Sequence, residues 1–303
     1  TFFRILEKSR QVGATVFVHA ENGEILNFLR SECVKKGQLT PHFHYVSRPP
    51  FTEAEAVRRA IYLAGQTDTP LYIAHMTCRE AIAELQKAKG TGQRVSGETC
   101  THYLTTTKEV LDNPDFNEAA KFVCSPALRD QEDCEALWQA LAGGLLTAVS
   151  SDHCGIDVAE LKQAGRDDFT QIPNGSPGAG DRLHMVWTEG VCTGKLSRQK
   201  FVDVIATQPA KINGIYPRKG TLAVGSDADI VIFDPSYEGV IRLADNSNGV
   251  DYNLYEGRRQ SGRVETVLLR GQVVVENAKF VGRYGQGQFI PASMYASGYE
   301  NRN

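Results

Sequence analysis

The chain has 303 residues, of which 41% are hydrophobic and 23% charged, and its formal net charge is -3. This composition is ordinary for a globular protein, and the length allows one large domain or two smaller ones. The slight negative charge argues against a nucleic-acid partner, and no apolar run approaches the ~20 residues of a membrane-spanning helix.

Helical and strand patterns alternate from the first residue to about residue 215. Predicted helices cover 3–11, 23–36, 52–65, 79–89 and 131–142, and predicted strands cover 14–19, 71–75, 94–99 and a run ending at 152. The proline-bearing stretch 39–51 is predicted to be irregular. Alternation of this kind is typical of parallel βα units.

The pattern changes after residue 215, where β-branched runs at 230–235 and 264–275 predict a small β domain. We therefore predict two parts, an α/β barrel portion over 1–217 and a β-sandwich portion with a carboxyl-terminal tail over 218–303. A (β/α)8 barrel typically needs eight βα units over ~250 residues. Only about four units are recognisable, so we expect the earlier units to lie outside this chain.

Three polar side chains stand at the ends of predicted buried strands. His19 and His75 are separated by 56 residues, and Asp152 follows after 77 more, which suits neighbouring and next-but-one strands. The carboxyl ends of barrel strands gather at one face, so these side chains should meet there. Imidazole and carboxylate are zinc ligands, and the trio therefore predicts part of a metal-hydrolase site.

Each of these residues also has an ordinary structural alternative. A single histidine at a strand end is more often structural than a metal ligand, and an aspartate after a strand is frequently a helix cap. His42 and His44 form a His-x-His pair, but the surrounding prolines favour a loop and a structural role. The seven cysteines form no CxxC pair. We expect buried, reduced thiols, Cys154 included, in a cytoplasmic protein.

Two turn-rich segments could bind a ligand through main-chain groups. One contains Ser125 before Pro126, and the other is the loop 173–178, which contains Asn174. Proline and glycine fix the path of such loops and let a ligand approach the backbone. An ordinary surface loop explains either segment equally well.

Five motifs together resemble the dihydropyrimidinase or D-hydantoinase family of the amidohydrolase superfamily. They are His-Ala-Glu-Asn at 19–22, Ser-Arg-Pro-Pro at 47–50, Ser-Asp-His-Cys at 151–154, Pro-Asn-Gly at 173–175 and Gly-Ser-Asp-Ala-Asp-Ile-Val at 225–231. The resemblance implies a metal-dependent barrel with two zinc ions that opens 5,6-dihydrouracil, dihydrothymine and 5-substituted hydantoins. It also implies a cytosolic homotetramer.

By motif, the resemblance implies a role for each candidate residue. His19 and His75 would bind one zinc, and Asp152 would bind the other and carry the proton. Ser125 and Asn174 would contact the cyclic diamide through main-chain groups. A His-x-His pair, a bridging carboxylated lysine and a tyrosine of the family precede the first motif and have no counterpart here. We therefore expect the carboxyl-terminal two thirds of such an enzyme, weak zinc binding and no useful activity from this chain alone.

Two alternatives remain open at this point. The first is a non-catalytic dihydropyrimidinase-related protein, although retention of His19, His75 and Asp152 argues against it. The second is another ring-opening amidohydrolase, an allantoinase or a dihydroorotase. A dihydroorotase needs a cation for the substrate carboxylate, and no arginine near the strand ends clearly supplies one.

Overall fold

Two four-stranded sheets organise the chain, for which the computed structural model describes residues 1–245 and 248–293. The parallel sheet has the order β1 (Val16–Val18), β2 (Leu71–Ile73), β3 (Val95–Cys100) and β4 (Ala148–Ser150). The antiparallel sheet has the order β5 (Ile230–Val240), β6 (Arg259–Leu269), β7 (Gln272–Glu276) and β8 (Lys279–Phe280). The α/β character and the separate β region are thus confirmed. The division at residue 217 stays a prediction, and the predicted tail from 294 onward lies outside the described residues.

Helices precede β1, connect the four parallel strands and follow β4. They are α1 (Phe2–Val12), α2 (Gly23–Lys35), α3 (His42–Val46), α4 (Pro50–Thr67), α5 (Arg79–Gly90), α6 (Thr101–Thr105), α7 (Phe116–Ala120), α8 (Gln131–Ala142), α9 (Arg182–Val186), α10 (Arg198–Val202) and α11 (Gln208–Ile212). Short 3-10 turns lie at Lys108–Asp112, Lys162–Gly165, Phe169–Gln171 and Leu243–Asp245, and π turns at Trp187–Val191 and Asp203–Thr207.

Side-chain caps explain why two of the predicted helices begin where they do. The Asn22 side chain accepts a hydrogen bond from the Ile25 amide at the start of α2, and Asp130 accepts one from the Asp133 amide at the start of α8. Such caps satisfy amides that have no partner within the helix. The helices bury one face against the sheet, forming a core whose least exposed members include Leu6, Val57, Leu71, Ile73, Leu85 and Leu137.

Two expectations from the sequence are wrong in this part of the fold. The stretch 39–51 contains α3, because Pro41 at its N-cap removes no hydrogen bond that the helix needs. His44 is buried in α3 and donates to the Cys124 carbonyl at 2.8 Å. In β1, expected to be buried, the Phe17 side chain is 52% exposed, since β1 is the first strand of the sheet and Phe17 borders an open cavity of about 290 Å³.

The antiparallel sheet packs against the helical layer through aromatic and hydroxyl contacts. The Trp187 and Phe233 rings lie 4.8 Å apart. The Ser261 amide on β6 donates to the Thr188 hydroxyl at 3.0 Å. These contacts attach β5 and β6 to the part of the chain that carries the parallel sheet. Within the described ranges, no helix combines the length and apolar character needed to cross a membrane.

His44 predicts an acid-dependent loss of stability. Burial, followed by the charge of Arg48, lowers the pKa of His44 to about 3 from its ordinary value of 6.5. Below pH 6.5 the unfolded chain therefore takes up a proton that the folded chain excludes, so stability falls as pH falls, by up to about 1.4 kcal/mol per pH unit. Replacing His44 with glutamine should reduce this slope in urea unfolding, whereas His42→Gln on the exposed side of α3 should not. Equal slopes in wild type and His44→Gln would contradict the assignment.

Candidate functional site

The three sequence-predicted polar side chains follow strands of the parallel sheet. His19 comes directly after β1, while His75 and Asp152 come two residues after β2 and β4. Since the strands are parallel, all three positions lie at one edge of the sheet. The Nδ1 atom of His19 is 3.0 Å from the Nε2 atom of His75. Two rings separated by 56 residues in sequence therefore present nitrogens to the same point.

Two of these residues have an unusual backbone conformation. His75 has a φ of 36° and Asp152 a φ of 43°, both in the left-handed region that L residues seldom adopt. A residue held there costs on the order of 1–3 kcal/mol and persists only where its surroundings enforce it. Such positions cluster at functional sites, and here two of them follow strands at the same edge.

The electrostatics of the site favour a neutral His75. Burial lowers the pKa of His75 first, the neighbouring His19 lowers it further, and the charge of Asp152 opposes both. Asp152 itself is exposed. A neutral imidazole is the form that binds a metal, so the ring is in the required state at neutral pH.

The two histidines fit a shared cation. Zinc–nitrogen distances of ~2.0–2.1 Å in tetrahedral geometry place two ligand nitrogens roughly 3.3 Å apart. The observed 3.0 Å between His19 and His75 is within a few tenths of an ångström of this separation. Over the described ranges, however, no group of three or more His, Cys, Asp or Glu side chains is arranged to hold a metal ion. A metal-ligand role for these residues therefore stays a prediction, as does weak zinc binding by the chain alone.

A buried ion pair orients His19. The Glu21 carboxylate lies 3.2 Å from His19 Nε2 and accepts from Arg48 Nη1 at 2.8 Å. Burial raises the pKa of Glu21, but the hydrogen bonds and charges of His19 and Arg48 outweigh it and lower that pKa to about 2. A carboxylate on the far nitrogen fixes the ring and makes the other nitrogen a better metal ligand.

A second buried pair supports the segment after His75. Glu53 on α4 accepts from the Thr77 amide at 2.8 Å and from Arg129 Nη2 at 3.1 Å. The Arg129 guanidinium also donates to the Thr77 hydroxyl at 2.8 Å and to the Arg48 carbonyl. Arg129 thus links the Glu53 pair to the Arg48–Glu21 pair. The resulting network contacts His19 through Glu21 and holds Thr77, two residues after His75.

The two loops predicted to bind substrate meet each other. The Ser125 hydroxyl donates to Asn174 Oδ1 at 2.9 Å, although the residues are 49 positions apart. The loop of Asn174 also joins the segment after Asp152, since the Cys154 amide donates to the Ser176 carbonyl at 3.0 Å. His153 Nδ1 accepts from the Gly178 amide at 3.3 Å and thereby holds the end of the same loop.

Cys154 corrects another expectation. The residue is exposed, as is Cys192, whereas the other five cysteines are buried. Cys154 lies in the loop after β4, outside any strand, so its thiol is not enclosed by the sheet. The Cys154 side chain packs against Gly175, where an added Cβ would lie 2.7 Å from the Cys154 sulfur. Gly175 has a φ of 142° and is the residue that lets the loop pass this close.

Sequence reasoning did not assign roles to the supporting residues. Glu21 and Arg48 stand inside two of the quoted motifs, which was the available signal for them. Neither Glu53 nor Arg129 belongs to a quoted motif: Glu53 reads as a charged residue of a predicted helix, and Arg129 lies in an irregular segment before α8. Only their burial, at 2% and 5% exposure, reveals that they belong beneath the site.

Comparisons with known proteins agree with the architecture. The model of the amidohydrolase family matches residues 3–274. A D-hydantoinase of Ralstonia pickettii is 47% identical over 97% of this chain and 64% of its own length. A dihydropyrimidinase of Arabidopsis thaliana is 39% identical over 96% of this chain and 55% of its own length. The crystal structure of dihydropyrimidinase from Brevibacillus agri superposes with a TM-score of 0.95 and 44% identity, covering 97% of this chain and 64% of that one.

Proposed function

The chain belongs to the amidohydrolase family, and from this premise we propose that the protein carrying it opens cyclic diamide rings by hydrolysis. The proposed substrates are 5,6-dihydrouracil and dihydrothymine, which give N-carbamoyl-β-amino acids, and 5-substituted hydantoins, which give N-carbamoyl amino acids. The chain spans about 64% of the length of the D-hydantoinase it matches. The supporting observation is the approach of the His19 and His75 nitrogens to 3.0 Å at the strand ends.

Asp152 is proposed to carry the proton in this reaction. Its exposed carboxylate follows β4 at the same edge of the sheet as the two histidines. Ring opening forms a bond between water oxygen and the ring carbonyl carbon, and breaks the bond from that carbon to the ring nitrogen. Asp152 would accept the proton that the water loses and return it to the departing nitrogen.

His19 and His75 are proposed to hold one zinc ion and Asp152 to bind a second. The chemistry that zinc would supply there is a lowered water pKa, to about 7, so that hydroxide would be available at neutral pH. The Glu21 carboxylate would fix the His19 ring, and burial would keep His75 neutral. The complete site would need further ligands, for which the resemblance implies a carboxylated lysine and a His-x-His pair. A closed barrel, a sandwich around β5–β8 and a homotetramer belong to the same proposal.

Ser125 and Asn174 are proposed to position the cyclic diamide. Their side chains hydrogen-bond each other at 2.9 Å, so the two loops lie side by side, and their main-chain amides and carbonyls would face the substrate. A planar ring with alternating N–H and C=O groups would find complementary partners there. Backbone groups suit this task because they cannot change rotamer.

A side-by-side assay tests the proposed function. The zinc-loaded protein that carries this chain should hydrolyse 5,6-dihydrouracil and a 5-substituted hydantoin, with the N-carbamoyl products measured by chromatography. Allantoin and dihydroorotate should remain unhydrolysed in the same assay. Preferential turnover of either of these two would assign a different ring-opening amidohydrolase. A zinc-bound protein inactive on all four compounds would instead indicate a non-catalytic relative.

A further inference from the structure

Lys162 is a fully buried lysine that the proposed chemistry does not use. It begins the short 3-10 turn Lys162–Gly165, and its side chain has no exposed surface. Across the described ranges, no carboxylate forms an ion pair with its amine, and burial lowers the pKa of Lys162 to about 8. Burying a cation without an anionic partner is unfavourable, so an apolar side chain would serve mere packing better.

The amine contacts main-chain carbonyls of the segment that leads to Ser125. Lys162 Nζ donates to the Ala120 carbonyl at 2.8 Å and to the Val123 carbonyl at 3.3 Å. The Val123 carbonyl also accepts from the Gly175 amide at 3.0 Å. Gly175 directly follows Asn174, and Ser125 is two residues after Val123. One carbonyl therefore joins Lys162 to both loops of the candidate substrate site.

Other contacts fix the same junction to the rest of the protein. The Ser176 hydroxyl donates to the Lys121 carbonyl at 2.8 Å, and the Tyr252 hydroxyl donates to that carbonyl at 3.4 Å. The Ser176 carbonyl accepts from Cys154, two residues after Asp152. Of these bonds, only the two from Lys162 come from a charged side chain, and that side chain is fully buried.

We propose that Lys162 is a positioning residue for substrate, which holds the Val123 carbonyl and thereby sets the main-chain groups of Ser125 and Asn174. This inference rests on the proposed function. A displaced loop lengthens its hydrogen bonds to the bound ring in the ground state and in the transition state alike, and loss of such uniform binding raises KM with little change in kcat. The amine acts through the loops, since its contacts are with main-chain oxygen atoms.

Substitution of Lys162 in the zinc-loaded protein, with 5,6-dihydrouracil as the probe, tests the inference. Lys162→Met fills the space without donating, and should raise KM about tenfold, because it weakens hydrogen bonds to the bound ring, while kcat changes much less. Lys162→Gln keeps a donor and should recover part of the loss. The control is Lys87→Met, the same change at an exposed lysine of α5, which should leave both constants unchanged.

The outcomes separate this inference from the proposed function. Absence of wild-type turnover would overturn the proposed function itself. Wild-type turnover with an unchanged KM in Lys162→Met would overturn the positioning role, even if kcat or thermal stability fell. If Lys162→Met fails to fold, Ser176→Ala provides the reading, because it removes one bond to the same segment. It should then raise KM by a smaller factor, and an unchanged KM would count against the proposal.

Discussion

Replacing Asp152 with asparagine is expected to lower kcat for dihydrouracil ring opening by about 10²- to 10⁴-fold. Asparagine has nearly the same size as aspartate, but its amide cannot accept the proton of the attacking water at neutral pH. The backbone should be undisturbed, because asparagine tolerates the left-handed conformation that Asp152 adopts at a φ of 43°. The loss would therefore report the carboxylate and not the fold.

Steady-state kinetics with 5,6-dihydrouracil and zinc analysis of the same sample provide the measurement. Asp68→Asn is the matched control, since Asp68 is an exposed aspartate that precedes β2 and so lies toward the opposite edge of the sheet. It should retain wild-type kcat. A kcat for Asp152→Asn within a few-fold of wild type, at unchanged zinc content, would remove Asp152 from the proposed proton transfer.

Local patterns in the sequence were sufficient for the four strands of the parallel sheet and for the five long helices α1, α2, α4, α5 and α8, but not for the five-residue helices. The predicted helix at 131–142 has the same bounds as α8, because an aspartate cap and apolar spacing act within a few residues of each other. The missed helix α3 shows the limit of this reasoning. Prolines on both sides indicated a loop, yet a proline is compatible with the start of a helix, and tertiary burial of His44 stabilises the turn between them.

The position of His19 beside His75 followed from topology alone, since parallel strands end at a common edge. Strand topology did not predict the backbone strain at His75 and Asp152, nor the buried ion pairs beneath them. Arg48 is 27 residues from Glu21, and Arg129 is 76 residues from Glu53. No repeating pattern in the sequence marks either ion pair. Each contact forms only where separate strand–helix connections meet in the folded chain. The exposure of Cys154 was missed for a similar reason, as it depends on the path of the loop after β4.

The Glu53–Arg129 pair is the strongest candidate for a single site that controls stability. Both side chains are almost completely buried, at 2% and 5% exposure. Burial raises the pKa of Glu53, and Arg129 and two hydrogen bonds from Thr77 counteract this. Each charge is therefore tolerated only because its partner is present. Removing one partner leaves the other charge, and the Thr77 segment after His75, without compensation.

Arg129→Met is expected to lower the free energy of unfolding by about 3–5 kcal/mol, measured by urea denaturation. Arg59→Met is the control, because Arg59 pairs with Glu55 on the surface of the same helix α4 that carries Glu53. Arg59→Met should lower the free energy of unfolding by no more than about 1 kcal/mol. The double variant Glu53→Leu with Arg129→Met leaves neither charge of this pair unpaired, so it should lower the free energy of unfolding by less than Arg129→Met alone. If the double variant loses the sum of the two single losses, the residues are not coupled, and the network does not stabilise the segment behind His75 as described.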